Sequence, residues 1–265
     1  MRPPALVGVA VAAVAAVAGC GHPPVHTGDG AAHGATVTRY SIDSRFTGGS
    51  RAQIAVRPPG AERPPLLVFL HGRGGGPETN VNGEFLSALR ALGRRAPAVV
   101  FPDGGDHSYW HDRRDGRFGR YVMREVIPEA LRRLRADRRR VAIGGISMGG
   151  FGAFDLALLN PGRFCAVGGH SAAVWATAGE TAPGAFDDAA DFARNDVVAM
   201  ARSRRPAPHL WLDSGDADPF VPGDRALAAA LGIRKRTWPG GHEGDYWRSH
   251  YDDYMRFYGA ALADC

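Results

Sequence analysis

The apolar run Val141-Ala-Ile-Gly-Gly-Ile146 ends in Gly145-Ile146-Ser147-Met148-Gly149, and an apolar helical pattern begins at once. Few folds accommodate such a segment. A strand that reverses into a helix with a serine at its apex forces that serine into a strained backbone conformation. It also brings strand and helix so close that residues two places either side must be small. The turn lifts the Ser147 hydroxyl above the end of a sheet and aims the Met148 N–H at the same space. With 36 glycines in 265 residues, the five-residue pattern alone can arise by chance. Its flanking strand and helix, and suitable partners downstream, carry the argument.

The surrounding sequence alternates strand and helix. Thr36–Ile42 and Ala52–Val56 alternate like two half-exposed strands around a Gly48-Gly49 turn. Leu66–Leu70, Ala98–Phe101, Val141–Ile146, Cys165–Gly168, His209–Leu212 and Arg234–Trp238 read as further strands, several continuously apolar as buried parallel strands are. Gly83–Leu92, Phe118–Leu134 (bent or restarted near Pro128), Met148–Leu159, Ala226–Leu231 and Tyr246–Leu262 read as helices. This order predicts an α/β fold, a mostly parallel sheet with helices on both faces, in one domain over 36–265. An Ala- and Asp-rich excursion, 171–206, is expected to form a small cap.

Residues 1–19 read as a lipoprotein signal peptide. Arg2 precedes the apolar stretch Ala5–Ala18, which is short for a membrane span, and Val17-Ala-Gly-Cys20 resembles a lipobox with Cys20 as the lipidated residue. Residues 20–35, rich in Gly, Ala, His and Pro, suit a tether. His22, His26 and His33 belong to that low-complexity segment rather than to a metal site. The expected address is therefore extracytoplasmic, at the membrane through the anchor on Cys20. That address permits a disulfide between the remaining cysteines, Cys165 and Cys265, expected at the end of the sheet away from Ser147; two free thiols are the alternative. The net charge is +5, and Lys235 is the single lysine among 32 basic residues. No basic stripe with interleaved aromatics accompanies it, so a nucleic-acid partner is not expected.

A serine hydroxyl needs a base, and the base an orienting acid. His242, in the Gly-Gly loop after the last strand, is the candidate base; His250 falls inside the closing helix. Asp218, leaving the strand 209–212, is the candidate acid. Asp216 and Asp213 compete, with capping the turn and satisfying its backbone amides as their other roles. His71-Gly-Arg-Gly-Gly-Gly76 follows a central strand and is expected to supply the Arg73 N–H as an oxyanion donor beside that of Met148. No His/Cys/carboxylate cluster has metal-ligand spacing, so neither metal nor cofactor is expected.

Together, His71-Gly72-x-Gly74-Gly75, Phe101-Pro-Asp-Gly104, Gly145-x-Ser147-Met-Gly-Gly-x-Gly-Ala153, Gly215-x-x-Asp218-Pro219 and Gly241-His242-x-x-x-Tyr246-Trp247 resemble the esterase D-like family of α/β-hydrolases. That family includes feruloyl esterases, S-formylglutathione hydrolases and mycolyltransferases. The resemblance covers about residues 36–262. It implies an α/β-hydrolase fold and a metal-independent serine carboxylesterase acting through an acyl-enzyme on small-molecule or lipid esters. The loop at His71 departs from the Asp-Gly-Leu type of the mycolyltransferases, which disfavours the alternative of acyl transfer to envelope glycolipids. A non-catalytic binding lipoprotein is the remaining alternative. Tyr109, Trp110, His111 and Trp175, with Phe186 as a roof, are candidates for a substrate pocket, with Trp110 equally placed for the core. His170-Ser171 is expected at the same rim, as pocket or as support for the triad.

Overall fold

The computed structural model describes residues 34–265. The expected signal peptide, Cys20, the His residues at 22, 26 and 33 and nearly all of the expected tether lie outside them. Eight strands form one sheet in the order β1-β2-β4-β3-β7-β8-β9-β10. β1 (Thr36–Ser44) and β2 (Gly49–Arg57) form an antiparallel edge, joined to the rest where β2 pairs with β4 (Ala98–Pro102). From there β3 (Leu66–Leu70), β7 (Val141–Ile146), β8 (Ala166–His170), β9 (His209–Gly215) and β10 (Arg236–Trp238) all run parallel to β4. β5 (Asp112–Arg113) and β6 (Gly116–Arg117) form a separate small hairpin. β3, β4 and β7 are buried throughout, as continuous apolar runs require when helices cover both faces.

On one face lie α1 (Gly83–Ala91) and the closing helix α8 (Gly244–Ala263), which pack with Phe69, Phe85 and Phe101. The other face carries α2 (Phe118–Tyr121), α3 (Ile127–Arg133) and α4 (Met148–Leu159), together with α7 (Val221–Leu231). The expected bend near Pro128 has a definite form: residues Val122–Val126 make a π-helical turn in which the Ile127 N–H reaches the Val122 carbonyl. Proline has no N–H to give and its ring clashes with the preceding turn, so the ladder is interrupted there. The excursion 171–206 contains a 3₁₀ turn at Ala178–Glu180, α5 (Ala189–Arg194) and α6 (Val197–Ala201). Among the described residues, no helix is long and apolar enough to cross a membrane.

Cys165, just before β8, is joined to Cys265 beyond α8, with their Cα atoms 6.1 Å apart. Both lie at the end of the sheet from which the parallel strands start, and Ser147 lies at the other.

Candidate active site

Ser147 sits between β7 and α4 with φ 56° and ψ −116°, a conformation that costs on the order of 1–3 kcal/mol for a residue with a side chain. Its surroundings over-determine that conformation. The Ser147 N–H donates to the His170 carbonyl at 2.9 Å, and its own carbonyl accepts from Phe151 and Ala173, each at 3.0 Å. The steric reason for the flanking glycines is equally direct: a Cβ at Gly145 would lie 2.5 Å from the Leu70 carbonyl oxygen, and one at Gly149 only 2.1 Å from it.

His242 lies on the loop between β10 and α8. Its Nε2 is 2.8 Å from Ser147 Oγ and its Nδ1 is 2.9 Å from Asp218 Oδ2. Burial alone would raise the Asp218 carboxyl, but hydrogen bonds from His242, the Phe220 N–H and the Ser171 hydroxyl hold it below the ordinary carboxylate range. An ionised Asp218 can only accept, so Nδ1 carries the imidazole proton and Nε2 is left to accept from the Ser147 hydroxyl. The Ser171 hydroxyl also hydrogen-bonds Asp218 and accepts the Trp247 indole N–H at 3.0 Å. Phe220 and Trp247 meet the His242 ring edge-on at 5.0 and 5.1 Å.

The competing aspartates have other work. Asp216 accepts the Gly240 N–H at 3.0 Å and so shapes the loop bearing His242. Asp213 does not serve backbone amides in the turn. It is fully buried and takes four side-chain donors: His170 Nδ1 at 2.7 Å and Trp211 Nε1 at 2.6 Å on one oxygen, and the Tyr246 and Tyr254 hydroxyls at 3.0 Å on the other.

At the expected oxyanion position, Gly72 packs on Ser147: a Cβ there would be 3.4 Å from Ser147 Cβ. The Gly72–Arg73 peptide therefore passes beside the hydroxyl. The loop is held by His71, whose Nδ1 contacts the Gly72 carbonyl at 2.8 Å and whose Nε2 accepts the Gly104 N–H at 2.9 Å. Burial lowers the His71 pKa, which keeps the ring neutral and able to accept. Met148 opens α4, so its N–H has no acceptor within the helix and sits at the positive end of its dipole.

Two pocket candidates lie elsewhere. Trp110 is fully buried, packs against Gly104 and Gly152, and donates its indole N–H to the His71 carbonyl at 3.2 Å; it braces the loop from within. His170 is also fully buried, bonded to Asp213 and to the Tyr258 hydroxyl, and stacked 3.5 Å from Tyr254. His170 thus packs on the sheet face covered by α8, between Phe69 of β3 and the tyrosines of that helix. Tyr109 and Trp175 do sit in an aromatic cluster with Phe151 and Phe186, at centroid distances of 5.4–6.4 Å. Trp175 and Phe220 also wall a cavity of about 430 Å³. His111 joins this cluster but is tied to Asp191 of the cap at 3.1 Å. Among the described residues, no three His, Cys, Asp or Glu side chains converge as metal ligands would.

The sheet order, the strained serine after β7 and the polar residues gathered at the ends of the parallel strands define an α/β-hydrolase fold. Solved structures agree: a ferulic acid esterase superposes with TM-score 0.71 at 22% identity, covering 86% of this chain and 98% of that one. An S-formylglutathione hydrolase from Agrobacterium tumefaciens gives 0.76 at 22%, covering 89% and 99%. MPT51 (FbpC1) of Mycobacterium tuberculosis gives 0.62 at 16%, covering 86% and 97%. The family model described as "Putative esterase" matches residues 46–258, and the chain belongs to this esterase family. Among curated proteins, Esterase Rv1288 of Mycobacterium tuberculosis is 27% identical over an alignment of 222 positions, with 67% of this chain and 48% of that protein covered. The chain thus spans about half the length of the curated relatives it matches.

Proposed function

We propose that the protein is a serine carboxylesterase working through an acyl-enzyme, with Ser147 as nucleophile, His242 as base and Asp218 as orienting acid. The observation that carries this reading is the continuous hydrogen-bonded chain Ser147–His242–Asp218 on a strained serine. Ser147 Oγ attacks the ester carbonyl as its proton passes to His242 Nε2. The oxyanion forms beside the Met148 and Arg73 N–H groups, each donor of this kind being worth a factor of ~10²–10³ in rate. His242 then returns the proton to the departing alkoxide. Water, deprotonated by the same imidazole, attacks the acyl-Ser147 carbonyl, releasing the acid and restoring the hydroxyl.

Wild-type protein is expected to label with a fluorophosphonate probe and Ser147→Ala not at all, with ester hydrolysis reduced on the order of 10⁴-fold or more. Undiminished hydrolysis by Ser147→Ala would sink the mechanism. Asp218→Asn is expected to lose activity by a similar order, because the amide favours the wrong imidazole tautomer. Asp216→Asn keeps an acceptor for Gly240 and retains most activity; the reverse ranking would transfer the acid's role. Product analysis with a sugar acceptor present separates hydrolysis from acyl transfer.

The substrates in this reading are small-molecule or lipid esters, and the enzyme works outside the cytoplasm on a lipid anchor at Cys20. The sequence Val17-Ala-Gly-Cys20 after an apolar stretch supports that address. Metabolic labelling with a radioactive fatty acid, lost in Cys20→Ser, is the corresponding test.

A further inference from the structure

The two ends of the parallel sheet carry opposite charge. Each of the six parallel strands is preceded by an arginine: Arg63 before β3, Arg94 before β4, Arg138 before β7, Arg163 before β8, Arg205 before β9 and Arg234 before β10. The approaching segments 58–65, 92–97, 134–140, 160–165, 202–208 and 232–235 together hold twelve arginines and one lysine against two carboxylates, Glu62 and Asp137. Asp137 is engaged with Arg140 at 3.1 Å. Asp264, which closes α8, also lies at this end. At the other rim, the segments that leave the strands, as far as the next element, carry Glu78, Asp103, Asp106, Asp216, Asp218 and Glu243 against Arg73.

Most of the arginines at the starting end are exposed, and among the described residues none of the six named has a carboxylate within ion-pair distance. Arg63, Arg135, Arg138 and Arg163 surround a cavity of about 840 Å³ floored by Met123 and Leu131, with Glu62 the one carboxylate in its wall. Burial, and then the adjacent Arg138, push the Arg163 pKa down, as crowding of like charges does. The first described strand also begins at this end: Thr36 pairs with Arg57, and Val56 with Val99 near the start of β4.

We propose that this basic end is a docking face for an anionic phospholipid surface, against which the domain rests with Ser147 turned away from the bilayer. Charge complementarity and the place where the N-terminal segment joins the domain carry the inference. The choice of a membrane over another polyanion rests on the anchor reading above. The arginines hydrogen-bond lipid phosphates, and their long stems lie over the apolar floor. Each basic residue held near such a surface contributes about fivefold to binding, and salt screens the effect.

The test is flotation of the full chain with vesicles of phosphatidylglycerol and phosphatidylcholine, against vesicles of phosphatidylcholine alone. The neutral vesicles read whatever the N-terminal segment contributes by itself. Wild type is expected to prefer the anionic vesicles at least about twentyfold, the worth of two such contacts, with the preference lost in 0.5 M salt. The variant R63Q/R138Q/R163Q/R205Q is expected to lose the preference while hydrolysing a soluble short-chain ester as wild type does, since none of the four adjoins Ser147. Equal partition of wild type between the two vesicles, a preference that survives in the variant, or tighter binding to duplex DNA than to anionic vesicles at equal salt would each overturn the proposal. Ser147 labelling is read separately, so loss of the docking face and loss of the esterase reading are distinguishable.

Discussion

Asp213 and Asp155 are both completely buried, and their surroundings could hardly differ more. Asp213, at the end of β9, accepts from His170, Trp211, Tyr246 and Tyr254. Asp155, on α4 two turns beyond Ser147, has neither oxygen hydrogen-bonded to any other group. Burial, followed by the neighbouring charges of Asp191 and Asp112, pushes its carboxyl well above the ordinary range, so it is held as a neutral acid. A buried carboxylate is tolerated when donors surround it and is protonated when they do not. The difference follows function. Asp213 joins the strand before Asp218 to the helix after His242, whereas Asp155 lies in a wall of a separate cavity of about 410 Å³, shared with His111 and Asn195.

Breaking the satisfied hub should have the largest effect. Asp213→Asn brings an amide N–H₂ among groups that all donate, and is expected to cost about 3–5 kcal/mol in urea unfolding, as loss of one partner from a buried charged network does. A cost below about 1 kcal/mol would mean that the four bonds are not cooperating. Tyr246→Phe removes one donor and is expected to cost about 1.5–3 kcal/mol. Because Tyr246 stands four residues beyond His242, this variant is also expected to lower kcat more than it raises KM; an unchanged kcat would make Tyr246 purely a packing residue.

Asp155→Leu should act in the opposite direction. It is expected to stabilise by about 1–2 kcal/mol at pH 8, because an apolar group replaces an unpartnered polar one. The sign with pH is fixed by the raised pKa. The folded protein retains the Asp155 proton where the unfolded chain has lost it. This group's contribution is therefore fully present below its unfolded pKa and falls away as pH rises towards the folded value. The advantage of the leucine variant should thus shrink towards pH 4. A variant less stable than wild type at both pH values would show that Asp155 is satisfied after all. Asp224, buried behind Asp218, is likewise pushed up by burial and then by the Asp218 charge, with the Ser214 hydroxyl beside it acting the other way.

Much of this was legible because it is local. The serine turn, the alternation of strands and helices and the Gly-Gly loop before His242 each declare themselves within a few residues of sequence. The Asp213 hub is not local. Its donors come from positions 170, 211, 246 and 254, and only the sheet brings them together. One trace was visible: Tyr246, His250, Tyr254 and Tyr258 recur every four residues on the closing helix, which marks one face of α8 as aromatic and polar-tipped. That the face meets glycines could not be read. A Cβ at Gly144 would stand 1.7 Å from the Tyr258 hydroxyl, so strand and helix depend on each other across more than a hundred residues. The choice left open at Trp110 and His170, pocket or interior, was undecidable for a related reason: a position just beyond a strand does not say whether the side chain turns to solvent or beneath the next loop.

The bridge between Cys165 and Cys265 closes a covalent ring of the last third of the chain. Asp218 and His242 lie inside that ring and Ser147 outside it. The exposed stretch around Ala176–Glu180 and Pro183-Gly184 of the cap is also inside. A protease that cuts there opens the ring without releasing anything: the downstream piece, with the acid and the base, stays tethered through sulfur to the strand beside the serine. Under oxidising conditions a nicked molecule therefore migrates intact and can keep its site assembled; only a reductant separates the two pieces.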